Sequence, residues 1–186
     1  MISMPDVLAH QVVLVGLRDL EFKATGGTLT PIEGAMELTI DLQGDDQLIK
    51  GDDGVIAYAA QQTHAKVTVK QAVLDLAARA ALLGHTATES GTTPEVTYTY
   101  EAKTGAIPEG ALTGQVQYIK GITGVSGTVP KDAHFAIPLF TVDPNSVKDS
   151  LKIGEKNTVE FSGTAIPNST GVIYTILFHE TYTEIS

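Results

Sequence analysis

Gly34-Ala35-Met36-Glu37-Leu38-Thr39-Ile40-Asp41-Leu42 alternates without a break. Met36, Leu38, Ile40 and Leu42 fall on one side of an extended chain, and Glu37, Thr39 and Asp41 on the other. Period two is the pattern of a strand with one dry and one wet face. Residues 64–70 repeat it, with Ala65, Val67 and Val69 set against His64, Lys66, Thr68 and Lys70. Between the two lies Gly51-Asp52-Asp53-Gly54. Gly and Asp tolerate positive φ, so this tetrad predicts a hairpin turn joining residues 47–50 to 55–58.

The same pattern spreads along the rest of the chain. Residues 95–101 set Val96, Tyr98 and Tyr100 against Thr97 and Thr99. Strands are expected at 114–121, at 134–142 with Pro138 at an edge or bulge, at 159–166 and at 172–182. Pro167-Asn168-Ser169-Thr170-Gly171 is a turn between the last two. One helix interrupts the series at residues 71–83, rich in Ala and Leu. Val73, Leu76, Ala77, Ala80 and Leu83 supply its apolar stripe, Asp75 and Arg79 an i,i+4 pair, and Gly84 a left-handed C-terminal stop. About ten strands and one helix give a mainly β fold, a sandwich or barrel with one flanking helix. The organisation expected is a single domain over residues 1–186, with an N-terminal arm at 1–8 and extended loops at 45–54 and 86–94.

Composition narrows the function. The chain of 186 residues has no Cys, which removes disulfides, thiolate metal sites and cysteine nucleophiles. It has no Trp and only 6% aromatics, which counts against a sugar- or base-stacking platform. Twelve basic against 22 acidic residues leave −10, a balance that repels phosphate backbones and argues against a sequence-specific nucleic-acid reader. No apolar run is long enough to span a membrane. Met1-Ile2-Ser3-Met4-Pro5-Asp6 carries an acid and no basic residue, so no secretory leader is expected and folding is expected to begin in a cytoplasm.

Familiar catalytic patterns are missing. His10, His64, His85, His134 and His179 are scattered, and His179-Glu180 lacks the second histidine of a zinc helix. Gly124-Val125-Ser126-Gly127 is one residue short of a nucleophile elbow. Gly154-Glu155-Lys156-Asn157-Thr158 lacks the first Gly and the Lys-Ser/Thr pair of a phosphate loop. Asp45, Asp46, Asp52 and Asp53 cluster, but without the alternating ligands and distal Glu that Ca²⁺ requires. Asn168-Ser169-Thr170 matches a glycosylation sequon that has no force without export.

One ordered set of segments resembles a known family. It runs from Val15-Gly16-Leu17-Arg18-Asp19-Leu20 through Gly34-Ala35-Met36-Glu37-Leu38-Thr39-Ile40 and Gly51-Asp52-Asp53-Gly54-Val55. It continues through Val67-Thr68-Val69 to Ala81-Leu82-Leu83-Gly84-His85. This order is similar to that of the major tail proteins of long, non-contractile-tailed bacteriophages, over roughly residues 10–90. Phe161-Ser162-Gly163-Thr164-Ala165 resembles the family's final strands.

The resemblance implies a structural virion protein without catalysis or cofactor. Subunits form hexameric rings, and the rings stack into a hollow tail tube through which DNA passes without specific binding. Its partners are further copies of itself, the tape measure, the tail terminator and the baseplate initiator. The product resides in the phage tail after synthesis in the host cytoplasm. In that setting Glu37, Thr39 and Asp41 are the candidate channel-facing residues, and six copies at −10 bring a ring near −60. Lys66 and Lys70 on the neighbouring strand are placed to pair with those acids instead. Asp45, Asp46, Asp52 and Asp53 mark a candidate contact between subunits or rings. The alternatives are a β-sandwich ligand-binding module, of adhesin or carbohydrate-binding type, and a β-fold enzyme without a recognisable motif.

Overall fold

The computed structural model describes residues 12–51, 54–121, 128–147 and 158–182. The fold is mainly β with one helix. In chain order it comprises β1 (Val12–Ala24), β2 (Leu29–Pro31), β3 (Ala35–Gly51), β4 (Gly54–Gln71), α1 (Leu76–Leu83), β5 (Thr86–Ser90), β6 (Thr97–Glu101), β7 (Glu109–Gly121), β8 (Asp132–Val142), β9 (Val159–Ala165) and β10 (Thr175–His179). One antiparallel sheet runs β2-β1-β7-β8-β9-β4-β3, with β10 also on β8, and β5 and β6 form a separate hairpin. β9 and β10 share one edge of β8. Val142 to Phe140 pair with Gly163 to Ala165, and Ala136 to Asp132 pair with Thr175 to His179. β10 therefore resumes the course of β9 after the predicted turn at 167–171. Pro138 sits where three residues of β8 advance against two of β7, the bulge its missing N–H requires.

The core lies on the side of the sheet that carries the apolar phase of each strand. Phe22, Val67, Val69, Leu112, Ile137 and Phe140 are fully buried, and the Phe22 and Phe140 rings meet edge to face at 6.4 Å. Gly163 makes room for this pair, since a Cβ there would lie 2.5 Å from the Phe140 ring.

α1 begins at Leu76, five residues later than the composition predicts. Gln71 stays in β4, where it pairs with both Ala35 and Val159. Asp75 then caps the helix, its Oδ1 accepting from the N–H of Ala77 at 2.9 Å and of Ala78 at 3.1 Å. The helix buries Ala78, Ala80, Leu82 and Leu83, so Ala80 and Leu83 of the expected stripe are inside, while Ala77 is exposed and Val73 lies outside the helix and exposed. Gly84 stops the helix at φ 69°, as its position suggests.

On the opposite side of the sheet, Glu21 of β1 faces Thr113 of β7. Glu21 Oε2 and Thr113 Oγ1 are both buried, and neither hydrogen-bonds among the described residues. Burial, helped by the charge of Asp19, raises the Glu21 carboxyl above its ordinary value. The native state therefore holds the proton where the unfolded state has lost it, and stability falls as pH rises through that window. Glu21→Gln cannot ionise and offers Thr113 an N–H. The variant is expected to be more stable by about 1 kcal/mol at pH 7, with the difference shrinking below pH 4. Urea melts followed by far-UV circular dichroism at the two pH values check this.

Candidate functional site

Glu37, Thr39 and Asp41 project from β3 on the exposed side of the sheet. Register carries each across to its neighbours. Glu37 meets Lys70, which meets Glu160. Thr39 meets Thr68, which meets Ser162. Asp41 meets Lys66, then Thr164, then Thr141. The face is thus a polar ladder with a hydroxyl row between two rows containing charge.

Lys70 Nζ donates to Glu37 Oε2 at 2.9 Å. That hydrogen bond and the lysine's charge hold the Glu37 carboxyl below its ordinary range, while Glu37, with Glu160 adding, raises Lys70. Both side chains are about half exposed, so the pair sets local charge more than stability. The stripe expected to be acidic is largely compensated, with three acids facing two lysines. The sequence places Lys66 and Lys70 to compete for these acids, and for Lys70 the pairing is formed.

The loop expected from residue 45 is strand as far as Gly51, and residues 47–50 pair with residues 55–59, close to the hairpin expected between 47–50 and 55–58. Asp45 pairs with Gln61 and Asp46 with Ala60, and the ladder runs on to Gly51 opposite Gly54. Asp52 and Asp53 lie outside the described residues. The acidic, Gly-containing sequence reads as turn, but backbone pairing depends on facing N–H and C=O groups rather than on side-chain polarity. The last residue of β4 paired with β9 is Ala65. Beyond it, β3 and β4 pair only with each other among the described residues. This leaves a two-stranded arm, about 27 Å long at ~3.4 Å per residue, with unpaired groups on both edges. β10 also presents an edge with no partner among the described residues. Its Ile176 and Leu177, on opposite faces, are each 47% exposed.

The loop expected at 86–94 is half strand as well. Thr86 to Ser90 pair with Glu101 to Thr97 as β5 and β6. The hairpin is tied to the end of α1 by His85 Nδ1 and the Tyr100 hydroxyl and by Arg79, whose guanidinium lies 5.2 Å from the Tyr100 ring centre.

Two histidines that look isolated in sequence are brought together. His134 of β8 and His179 of β10 have ring centres 4.8 Å apart. Beside them Asp132, 2% exposed, accepts from Gln115 Nε2 at 2.7 and 2.8 Å and lies 3.0 Å from His134 Nε2. Tyr182 reaches the same cluster through Gln115 and Arg18. The cluster ties β7, β8, β10 and the following segment together. Asp132 and His134 stand two apart in a strand, so the period-two rule already puts them on one face; Gln115 had no comparable sign. Among the described residues no group of three or more histidine or carboxylate side chains is arranged to hold a metal ion.

Neither the family models nor the curated proteins compared with this chain give a match. Among the described residues no helix is long and apolar enough to cross a membrane.

Proposed function

We propose that this chain is the structural subunit of a phage-type tail tube, which forms six-membered rings and stacks them around a channel for DNA. The observation that carries the reading is the β3–β4 arm, with its long unpaired edges. Such edges recruit further strands unless something blocks them. No Pro lies along residues 44–51 or 54–64, and between the irregularities at Gln43/Gly44 and Ile49/Lys50 the register from Gly44 to Ile49 is regular. A head-to-tail contact between different edges closes into a ring when its rotation allows and otherwise extends as a filament. β10, apolar on both faces and half exposed, has the composition of a strand that lies inside a larger sheet.

The polar ladder supports the same reading. A channel wall for DNA must hold phosphates at most weakly, and a face that sets Glu37, Asp41 and Glu160 against Lys66 and Lys70 carries no net positive charge. Glu37, Thr39 and Asp41 belong to this wall. The tape measure, terminator and baseplate initiator are the further partners, the mature location is the virion, and no catalytic step is involved.

Concentrating the purified chain and following it by light scattering and negative-stain microscopy tests the proposal. Rings or hollow filaments of uniform width are expected. A monomer at every concentration, with or without an added nucleating end complex, would overturn it; saturable glycan binding by that monomer would favour the ligand-binding module.

A further inference from the structure

Lys66 behaves differently from Lys70. It stands opposite Asp41 in register, yet it forms no ion pair among the described residues. Instead it lines a hollow of about 320 Å³ with Gln43, His64, Asp143, Ser162 and Thr164. His64, Lys66, Ser162 and Thr164 share one face, because Lys66 pairs with Thr164 and Thr68 with Ser162. The hollow is rich in donors. The Lys66 ammonium, the Ser162 and Thr164 hydroxyls and the Gln43 amide make no hydrogen bond among the described residues. His64 Nδ1 is tied to Thr63 Oγ1 at 2.9 Å, which leaves Nε2. The one carboxylate on the rim is engaged in its own turn, where Asp143 Oδ1 accepts from Asn145 N at 2.9 Å and Nδ2 at 3.1 Å.

We infer that this hollow between β4, β9 and the turn after β8 binds a phosphate group. Several donors around one compact ammonium suit a tetrahedral anion with many acceptor oxygens. Asp143 and Asp41 lie near, and the chain carries −10, so the site is weak. Free phosphate and the phosphodiester of a nucleic-acid strand present the same chemistry. The site's place on a channel wall rests on the tube reading; the binding itself belongs to the free subunit.

The test is a titration of the full-length ¹⁵N-labelled chain, held dilute enough to be monomeric by light scattering. One arm uses sodium phosphate and the other a thymidine tetranucleotide, each against sodium chloride of equal ionic strength. Saturable shifts confined to residues 43, 64–66, 143 and 162–164, with a millimolar Kd, are expected in at least one arm. Saturation by phosphate alone identifies a small-anion site, and saturation by the oligonucleotide a diester site. Lys66→Gln is expected to weaken binding about tenfold, while Lys70→Gln stays within about twofold. Shifts that never saturate or spread over all lysines, or a Lys66→Gln chain that binds as the parent does, overturn the inference. Tube formation by the same preparations, seen by microscopy, is scored separately.

Discussion

A chain whose β3–β4 arm has been cut back is expected to fold and to lose tube formation. The variant replaces residues 45–61 by Asn-Gly, so that Gly44 and Gln62, already partners in register, flank a two-residue turn. Every core residue of the hairpin is retained, because Ala35, Leu38, Ile40, Ala65, Val67 and Val69 all lie on the body side of this cut. Stability is therefore expected to stay within about 1 kcal/mol of the parent. Assembly is different, because the arm carries a long stretch of backbone with no further strand partner among the described residues. A ladder hydrogen bond is worth about 1 kcal/mol net, so loss of even three per contact raises the critical concentration about 100-fold. Sedimentation velocity and negative-stain microscopy read the result. Tubes of parental width from the shortened chain would show that the arm takes no part in assembly.

Local rules made the strands legible and left their partners hidden. The alternation over residues 34–42 puts Glu37, Thr39 and Asp41 on an exposed face, but on the side it marks as dry only Leu38 and Ile40 pack against the core, while Met36 and Leu42 are exposed. In β4, Ala65, Val67 and Val69 are buried as the rule requires. Where the strand ends is another matter. Gly44, Asp45 and Asp46 look like punctuation, yet β3 continues to Gly51 because β4 runs opposite the whole way. Thr86 to Ser90 look like loop for the same reason and are held by β6. α1 starts later than its composition suggests because Gln71 to Leu74 have helical composition, while the pairing of Gln71 with two strands is a tertiary fact and the chain turns into helix only at the Asp75 cap. The continuation of β9 by β10 along β8 is equally beyond local pattern, because the two are separated by a turn. The candidate face was read more completely than the arm. Its three β3 residues are exposed together, and the competing lysines were visible, but only register decides that Lys70 takes Glu37 while Lys66 turns to a hollow beside β9.

That division of labour makes charge reversal on β3 the sharpest probe of the channel wall. On the ladder Glu37, Asp41 and Glu160 oppose Lys66 and Lys70, a balance of −1 per copy. Glu37→Lys with Asp41→Lys takes it to +3, which over six copies is a swing from about −6 to about +18 per ring. Folding is expected to survive, because the Glu37–Lys70 pair is half exposed and like charges facing each other across a ladder cost only about 0.2–1 kcal/mol. If these residues line the channel, tubes of the double variant are expected to retain short duplex DNA at about 50 mM salt and release it by a few hundred millimolar, since each phosphate neutralised adds nearly one unit to the logarithmic salt slope. Parental tubes are expected to retain almost none. Glu89→Lys with Glu95→Lys makes the same change in net charge on and beside the β5–β6 hairpin, away from the ladder, and is expected to behave as the parent. Equal retention by the two variants would mean that overall charge alone is being measured. Intact tubes of the β3 variant that hold no DNA would place the ladder outside the bore. That last result removes Glu37, Thr39 and Asp41 from the wall, because a surface that faces passing phosphates at channel distance cannot change sign without their responding to it.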